Sequence, residues 1–121
     1  MSNFKQFKLN SKIDERGSLT VLENVLPFKI KRCYWIYDTQ NVTRGGHRHK
    51  STIQALVCLK GKVLINIQDE NYSEKIILDS SDDCLIVEPK DWHTMEFTKD
   101  SILLVFASED YNADDYIYEK Y

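Results

Sequence analysis

The sequence predicts an all-β fold in which short antiparallel strands form a sandwich or a small barrel. Short runs of β-branched and aromatic residues recur between turn signals, at the spacing of about eight to twelve residues that is typical of such folds. The composition agrees, because the chain has seven Tyr, five Phe and two Trp but only four Gly and two Pro. A length of 121 residues fits one domain, which we take as residues 1–121.

Each predicted strand is bounded by residues that favour turns. The first segment alternates apolar and polar side chains, the second follows the sequence DERG, and the third is long and aromatic and follows Pro27. A Lys-Gly turn separates the fourth from the fifth, and the sequences DEN, SSDD and EPKD precede the next three. The predicted strands are residues 4–9, 18–24, 30–38, 53–59, 63–68, 74–78, 85–88, 94–98 and 102–107.

The two ends of the chain carry separate expectations. If the fold contains a helix, we expect a short one near the C-terminus, at residues 114–118, because no other segment has a helical period. The N-terminal strand would leave an unpaired sheet edge. We therefore expect it to pair with a second subunit.

Charge limits the classes of partner. The net charge is −3 and the sequence pI is about 5.6, and the chain has no long basic run. Binding to a nucleic acid polymer is therefore not expected. A local basic site for one small anionic ligand remains open, because net charge says little about a single pocket.

The cysteines and the hydropathy pattern indicate a cytoplasmic protein. Cys33, Cys58 and Cys84 are odd in number, lack CxxC spacing and lie in apolar runs, so we expect free thiols in the core of a protein from a reducing compartment. The chain contains no apolar stretch of ~18 residues and begins without an apolar leader, so no membrane association is expected.

Two histidines form the most informative motif. His47 and His49 lie two positions apart in RGGHRHK, so on a strand both imidazoles point to one face. Gln54 and a turn at Gly61 follow. This order resembles the first motif of the cupins, in which an HxH pair, an acidic ligand and a glycine turn lie along two strands. The predicted fold is therefore a small cupin, a jelly-roll β-barrel of antiparallel strands.

A second cupin motif is present in part. The sequence PKDWH, from Pro89 to His93, stands where cupins carry PxGxxH with a third histidine. Here the glycine is missing and the histidine comes one residue early. His93 is therefore a candidate for ligand contact.

Gln54, five positions after the histidine pair, argues against a metal site. Metal-binding cupins use three histidines and a carboxylate, and Gln54 stands at the carboxylate position. A neutral amide is a weak ligand for Zn²⁺, Fe²⁺ or Mn²⁺. We therefore predict no metal and no other cofactor, with His47 and His49 as an acid–base pair, since the imidazole pKa of ~6.5 lies near working pH. A functional metal and a structural role for the two histidines remain as alternatives.

Basic and aromatic side chains around this pair are candidates for ligand binding. The cations suited to a diphosphate are Arg16, Arg32, Arg44, Arg48 and Lys50. Gly46 would let a ligand approach the backbone closely. Either Tyr34 or the pair Trp35 and Tyr37 faces the cavity, because these residues alternate along one strand; Tyr37 is a candidate proton donor. Trp92 is a candidate for stacking on a base.

The motifs together resemble one narrower family. RGSLTVLE, LPFKIKRCYWIYD, RGGHRHK, PKDWH and the acidic, Tyr-rich end YNADDYIYEKY occur in that order. This is similar to the dTDP-4-keto-6-deoxyglucose 3,4-ketoisomerases, the WxcM-like sugar-isomerase cupins, over about residues 4 to 121. Two positions depart from the family pattern: Arg48, where alanine often lies between the histidines, and Trp35, where tyrosine is common.

The resemblance implies a metal-independent enzyme that moves the keto group of dTDP-4-keto-6-deoxyglucose from C4 to C3, for the synthesis of dTDP-3-amino-3,6-dideoxyhexoses. It also implies a homodimer with exchanged N-terminal strands. His49 would be the base that removes the C3 proton and His47 its partner, although the reverse order stays open. Gln54 and Tyr37 would hold sugar oxygens. The other candidate binding residues are Arg16, Arg32, Tyr34, Arg44, Gly46, Lys50, Trp92 and His93.

Two other functions remain open at this point. One is a metal-dependent cupin enzyme, and the other is a non-catalytic cupin that binds a sugar nucleotide. The configuration of the product at C4, galacto or gluco, is also left open.

Overall fold

The computed structural model describes residues 3–121. Within that range the chain forms twelve strands and one turn of 3-10 helix, at Ala113–Asp115. No helix in this range is long and apolar enough to cross a membrane. The strands are β1 (Gln6–Lys8), β2 (Asn10–Asp14), β3 (Gly17–Val21), β4 (Arg32–Ile36), β5 (Thr43–His49), β6 (Gln54–Lys60), β7 (Val63–Gln68), β8 (Ser73–Leu78), β9 (Asp83–Val87), β10 (Trp92–Phe97), β11 (Ile102–Ala107) and β12 (Tyr116–Ile117).

Ten strands form two five-stranded sheets. The first sheet has the order β1-β9-β6-β11-β4 and the second the order β12-β5-β10-β7-β8, while β2 and β3 form a separate hairpin. The strand pairs within residues 3–121 are antiparallel. The all-β prediction is confirmed, and two facing antiparallel sheets are the layout of the predicted jelly roll.

The two sheets pack face to face around an apolar core. From the second sheet, Val63, Ile65 and Ile67 are at most 1% exposed, and from the first sheet Leu103 and Val105 meet them. Their spacing of two residues puts every one of them on an inner face. Each such side chain contributes ~1.5–3 kcal/mol when fully buried, so this core holds the two faces that enclose the site described below.

The outer face of the first sheet is also covered. Ala55, Val57 and Ile86 are buried there, with the partly buried Leu22 and Phe28 packed against them. A strand buried on both faces needs apolar residues at successive positions rather than at alternate ones. This explains the unbroken apolar run in β6.

The N-terminal region differs from the prediction. The strand expected at residues 4–9 is limited to β1, and it pairs with β9 of the same chain rather than with a second subunit. Strands β2 and β3 form a hairpin that pairs with no other strand of the described chain. Ile13 and Leu19 on this hairpin are 78% and 57% exposed. The sequence of β2, NSKID, is mostly polar, so it carries no apolar alternation that would have predicted a strand.

The C-terminal region forms only part of the expected helix. One 3-10 turn forms, and the Asn112 side chain caps it by accepting a hydrogen bond from the Asp114 N–H. The chain then extends as β12 and pairs with β5. Pairing with the sheet edge satisfies backbone groups that a helix would otherwise satisfy internally.

The cysteine predictions are confirmed for two of three residues. Cys58 and Cys84 are buried free thiols, whereas Cys33 is exposed. Cys33 lies on β4, where Arg32, Tyr34 and Ile36 turn inward. The residue between two inward-facing neighbours must face outward, so the prediction of a core position for Cys33 is wrong.

Candidate active site

A cavity of about 510 Å³ opens between the inner faces of the two sheets. The first sheet contributes β4, and the second contributes β5 and β10, while the C-terminal tail closes one side. The lining residues are Arg32, Tyr34, Ile36, Arg44, Gly45, His47, His93, Met95, Tyr111 and Tyr116. The cavity therefore combines two arginines, two histidines and three tyrosines with an apolar floor.

The alternation along β4 decides which aromatic residue faces the cavity. Tyr34 lines it, whereas Trp35 and Tyr37 are each 58% exposed. Gln54, 3% exposed, donates from Nε2 to the Tyr34 hydroxyl at 3.0 Å. Gln54 thus supports Tyr34 rather than lining the cavity itself. Burial raises the pKa of Tyr34, so its hydroxyl keeps its proton and can donate it into the cavity.

The two sequence-predicted histidines lie together, with a third beside them. The rings of His47 and His49 have centroids 4.9 Å apart, and those of His47 and His93 lie 5.1 Å apart. His47 and His93 are directly opposite each other on β5 and β10. Of the three, His47 and His93 line the cavity and His49 does not, although His49 and His93 are similarly buried, at 2% and 1% exposed.

Burial keeps these imidazoles neutral. It lowers the pKa of His47 to about 4, with a smaller contribution from the nearby His49, and it lowers the pKa of His93 to about 4. His93 Nδ1 lies 3.1 Å from the carbonyl oxygen of Asp91. Since a carbonyl only accepts hydrogen bonds, Nδ1 of His93 carries the proton and Nε2 is free to accept.

Asp115 holds His49 from the C-terminal side. Its Oδ2 lies 2.9 Å from His49 Nδ1 and accepts a hydrogen bond from Thr52 Oγ1 at 2.5 Å, while its Oδ1 accepts from the Ser51 N–H at 2.8 Å. Burial opposes ionisation of Asp115, but the hydrogen bonds from Thr52, Ser51 and His49 outweigh it, and its pKa is lowered. Sequence reasoning missed Asp115. The only available signal was the acidic, Tyr-rich end in which it lies.

Tyr116 is a second missed residue. Its ring centroid lies 4.6 Å from that of His47 and 4.7 Å from that of His49. The pairing of β12 with β5, with Tyr116 opposite His49, brings it there. Tyr111 also lines the cavity, so the C-terminal tail forms part of the site.

Besides His49 and Gln54, five predicted site residues do not line this cavity. Tyr37 is exposed, Arg16 bonds Asp14 at the tip of the β2–β3 hairpin, and the exposed Lys50 donates its N–H to the Asp115 carbonyl oxygen. Trp92 lies on the opposite side of β10 from His93, with the Lys120 ammonium 4.8 Å from its ring. Gly46, at φ +79°, has open space beside it.

Arg48 also faces away from the cavity. Its Nε donates to the Glu119 carbonyl oxygen at 3.0 Å, and its guanidinium lies 4.1 Å from the centre of the Tyr121 ring. Tyr121 in turn bonds the carbonyl oxygen of Lys90. The residue between the two histidines therefore anchors the C-terminal tail.

The three imidazoles form the donor set that a metal would require. One nitrogen from each of His47, His49 and His93 lies within 4.8 Å of the others. Nε2 of His49 is buried and has no hydrogen-bond partner in residues 3–121. Three imidazoles suit a divalent transition ion, whereas Gln54, the residue at the carboxylate position, is engaged with Tyr34. The geometry fits a three-histidine site without a charged fourth ligand.

A family model and a relative of known activity both match this chain over most of its length. The family model "FdtA: WxcM-like, C-terminal" matches residues 2–121. A TDP-4-oxo-6-deoxy-α-D-glucose-3,4-oxoisomerase from Aneurinibacillus thermoaerophilus is 43% identical over 119 aligned residues, and the match covers 95% of this chain and 82% of that protein.

Solved structures agree with this relationship. The TDP-quinovose 3,4-ketoisomerase WlaRB from Campylobacter jejuni is 40% identical with a TM-score of 0.91, over 98% of this chain and 95% of that one. QdtA, a sugar 3,4-ketoisomerase from Thermoanaerobacterium thermosaccharolyticum solved with TDP, is 37% identical with a TM-score of 0.91, over 97% and 88% of the two chains. The fold, the cavity with its paired histidines and the match along residues 2–121 make this chain a member of the WxcM-like family of FdtA proteins.

Proposed function

We propose that this protein is an isomerase that converts dTDP-4-keto-6-deoxyglucose into the 3-keto isomer, for the synthesis of dTDP-3-amino-3,6-dideoxyhexoses. Family membership and the 43% identical 3,4-oxoisomerase support the reaction class. The observation that carries the proposal is His47, a neutral imidazole on the wall of a cavity that also holds arginines and a protonated tyrosine.

The reaction moves two protons. A base removes the proton from C3, which is acidic because the carbonyl lies next to it at C4, and an enediolate forms. The same proton, or one from solvent, is then added at C4, while the O3 proton leaves and O4 is protonated. The product has a carbonyl at C3 and a hydroxyl at C4, so atoms and charge balance.

His47 is the group we assign to the carbon proton. A neutral imidazole can accept a proton, and the His47 ring is only half-buried and lines the cavity, whereas the buried His49 does not line it. This reverses the order favoured from the sequence, in which His49 was the base. His93, beside His47 on the second sheet, and Tyr34, across the cavity on β4 of the first sheet, are placed to hydrogen-bond the sugar oxygens, where charge develops in the enediolate.

Two arginines are suited to the diphosphate. Arg32 and Arg44 both line the cavity, and guanidinium groups bind phosphate oxygens through paired hydrogen bonds. Nε of Arg32 is buried and has no partner among the residues that the structure describes. A phosphate oxygen would satisfy that donor.

A homodimer would give the N-terminal hairpin a partner. Ile13, Leu19 and Val21 on β2 and β3 are 78%, 57% and 37% exposed, and a second copy of the chain would cover them. An exchange of N-terminal segments would also carry Arg16, at the hairpin tip, to the other subunit. The proposal therefore includes this dimer. It also includes a reaction that needs no metal and a location in the cytoplasm.

Incubation with dTDP-4-keto-6-deoxyglucose in D₂O tests the function. We expect a 3-keto product, detected by NMR, and deuterium at C4 to the extent that solvent exchanges with the base. His47→Asn should lower kcat by ~10²–10⁴-fold while dTDP binding, measured by calorimetry, is retained. If wild-type protein binds dTDP but forms neither product nor deuterated sugar, it is a non-catalytic binding protein and the proposal fails.

A further inference from the structure

We propose that Asp115 is a positioning residue for the proton-transfer site: it fixes His49 with the proton on Nδ1 and leaves Nε2 as an acceptor facing His47 and His93. This inference rests on the proposed function for its catalytic consequence. The tautomer itself is a property of the folded protein and can be measured without substrate.

The hydrogen bonds around Asp115 determine the tautomer. The carboxylate has a lowered pKa, so it is ionised at neutral pH and can only accept hydrogen bonds. It receives one from the Thr52 hydroxyl and one from the Ser51 N–H. The remaining contact, 2.9 Å from Oδ2 to His49 Nδ1, therefore requires the hydrogen to be on Nδ1.

The other nitrogen of His49 then has an unusual position. Nε2 is buried and has no hydrogen-bond partner within residues 3–121. An acceptor buried without a partner is costly, and Nε2 belongs to a ring whose centroid lies 4.9 Å from that of His47 and 6.2 Å from that of His93. It can receive a proton from the group of imidazoles while Asp115 stabilises the resulting imidazolium, as a carboxylate does for the histidine of a catalytic dyad.

The backbone ties Asp115 firmly to the strand that carries the histidines. Its carbonyl oxygen accepts the Lys50 N–H at 2.8 Å, its own N–H bonds the Asn112 carbonyl oxygen, and β12 begins at the next residue. The carboxylate is thus held at both its side chain and its main chain. A positioning group has to be fixed in this way, because small displacements reduce catalysis strongly.

Asp115→Asn has a specific expected effect. The Ser51 N–H needs an oxygen acceptor, so the amide oxygen takes the place of Oδ1 and the NH₂ group takes the place of Oδ2 beside His49. That NH₂ donates to Nδ1 and favours the opposite tautomer, with the proton on Nε2. We expect kcat to fall by ~10²–10⁴-fold, as it does for an analogous carboxylate-to-amide change in a serine protease, with little change in the affinity for dTDP.

Asp114→Asn is the matched control. Asp114 is the neighbouring carboxylate and is exposed, so this variant makes the same change of charge one position away. We expect its kcat and its histidine tautomers to match those of wild type. Asp115→Glu, which keeps the carboxylate, should recover part of the activity lost in Asp115→Asn.

Nitrogen-15 NMR of histidine-labelled protein tests the inference directly. In wild type, we expect Nδ1 of His49 to have the shift of a protonated nitrogen and Nε2 that of an unprotonated one, with the pattern reversed in Asp115→Asn. The kcat–pH profile is the second measurement. The profile depends on the titratable and charged groups around His49, which are Asp115, Arg32, His47, His93 and Tyr116.

Each outcome is decisive. If His49 in wild type carries its proton on Nε2, the inference is wrong even when Asp115→Asn fails to fold. If Asp115→Asn folds and its kcat equals that of Asp114→Asn, the catalytic role is wrong. If the tautomer is as expected but wild-type protein shows no isomerase activity, the positioning geometry stands and the proposed function alone is rejected.

Discussion

His47 and His93 face each other directly across β5 and β10, next to Gly45, where the strand spacing leaves no room for a side chain. The register shifts between His93 and Thr94, where Gly45 pairs with Thr94. A Cβ on Gly45 would lie 2.8 Å from the His93 carbonyl oxygen and 3.2 Å from the Thr94 Cα. A side chain at position 45 would therefore push β5 away from β10 at the irregularity next to the paired imidazoles.

Gly45→Ala should therefore disturb both stability and activity. Its φ of +90° is strained for any other residue, which costs ~1–3 kcal/mol, and the backbone contact adds to that cost because no flexible side chain can move away. Gly46→Ala is the control, since Gly46 has φ +79° but no atom within 4 Å of the added Cβ. Urea unfolding should show a clearly larger loss for Gly45→Ala. Equal losses for the two variants would contradict the contact.

The pH dependence of the reaction should reflect the buried histidines. The pKa of His47 is lowered to about 4, so His47 is a neutral base at pH 7 and becomes protonated, and inactive, only as the pH falls towards 4. We expect kcat/KM to hold from pH 7 to about 5 and to fall below that. Product should be measured by NMR after quenching, with circular dichroism to verify folding. A fall centred near the ordinary imidazole pKa of ~6.5 would reject His47 as the base.

Metal removal separates the isomerase proposal from the metal-dependent alternative. The three imidazoles supply the donors of a transition-metal site, but Gln54 supplies no charged fourth ligand. We expect protein treated with a chelator and desalted to keep its activity, with far less than one metal ion per chain by elemental analysis. A stoichiometric metal that is lost together with activity, and restores it when added back, would establish the metal-dependent mechanism instead.

The sequence predicts a feature of this fold well when neighbouring residues along the chain determine that feature. β7 and β11 have the predicted bounds, 63–68 and 102–107, because their core-facing residues alternate between clear turns. β2 was missed because its side chains are mostly polar. Likewise, the spacing of His47 and His49 within one strand is enough to place both on one face.

The remaining site residues depend on contacts between distant parts of the chain. Asp115 meets His49 across 66 positions, and the sequence contains nothing to distinguish it from Asp110 or Asp114, which lie in the same acidic tail. Tyr116 reaches the imidazoles only because β12 pairs with β5. Which face of β4 turns inward is also decided by packing, and it selects Tyr34 over Tyr37.

Asp91 supplies a prediction about stability. It is 7% exposed, and its Oδ2 accepts the Glu88 N–H at 2.9 Å in the turn that precedes His93. Burial raises its pKa to about 6, above the ~3.9 of an unfolded chain. The stability that this group contributes is therefore fully present below about pH 4 and is lost as the pH rises through 6.

Asp91→Asn should remove this dependence, because an amide oxygen can accept the same hydrogen bond without ionising. We expect the variant to gain stability relative to wild type as the pH is raised from 4 to 7.5, measured by urea unfolding at several pH values. Asp114→Asn, a change at an exposed carboxylate, should show no comparable gain. A difference between wild type and Asp91→Asn that stays constant with pH would mean that folding does not shift the pKa of Asp91, and that burial does not disfavour its charge.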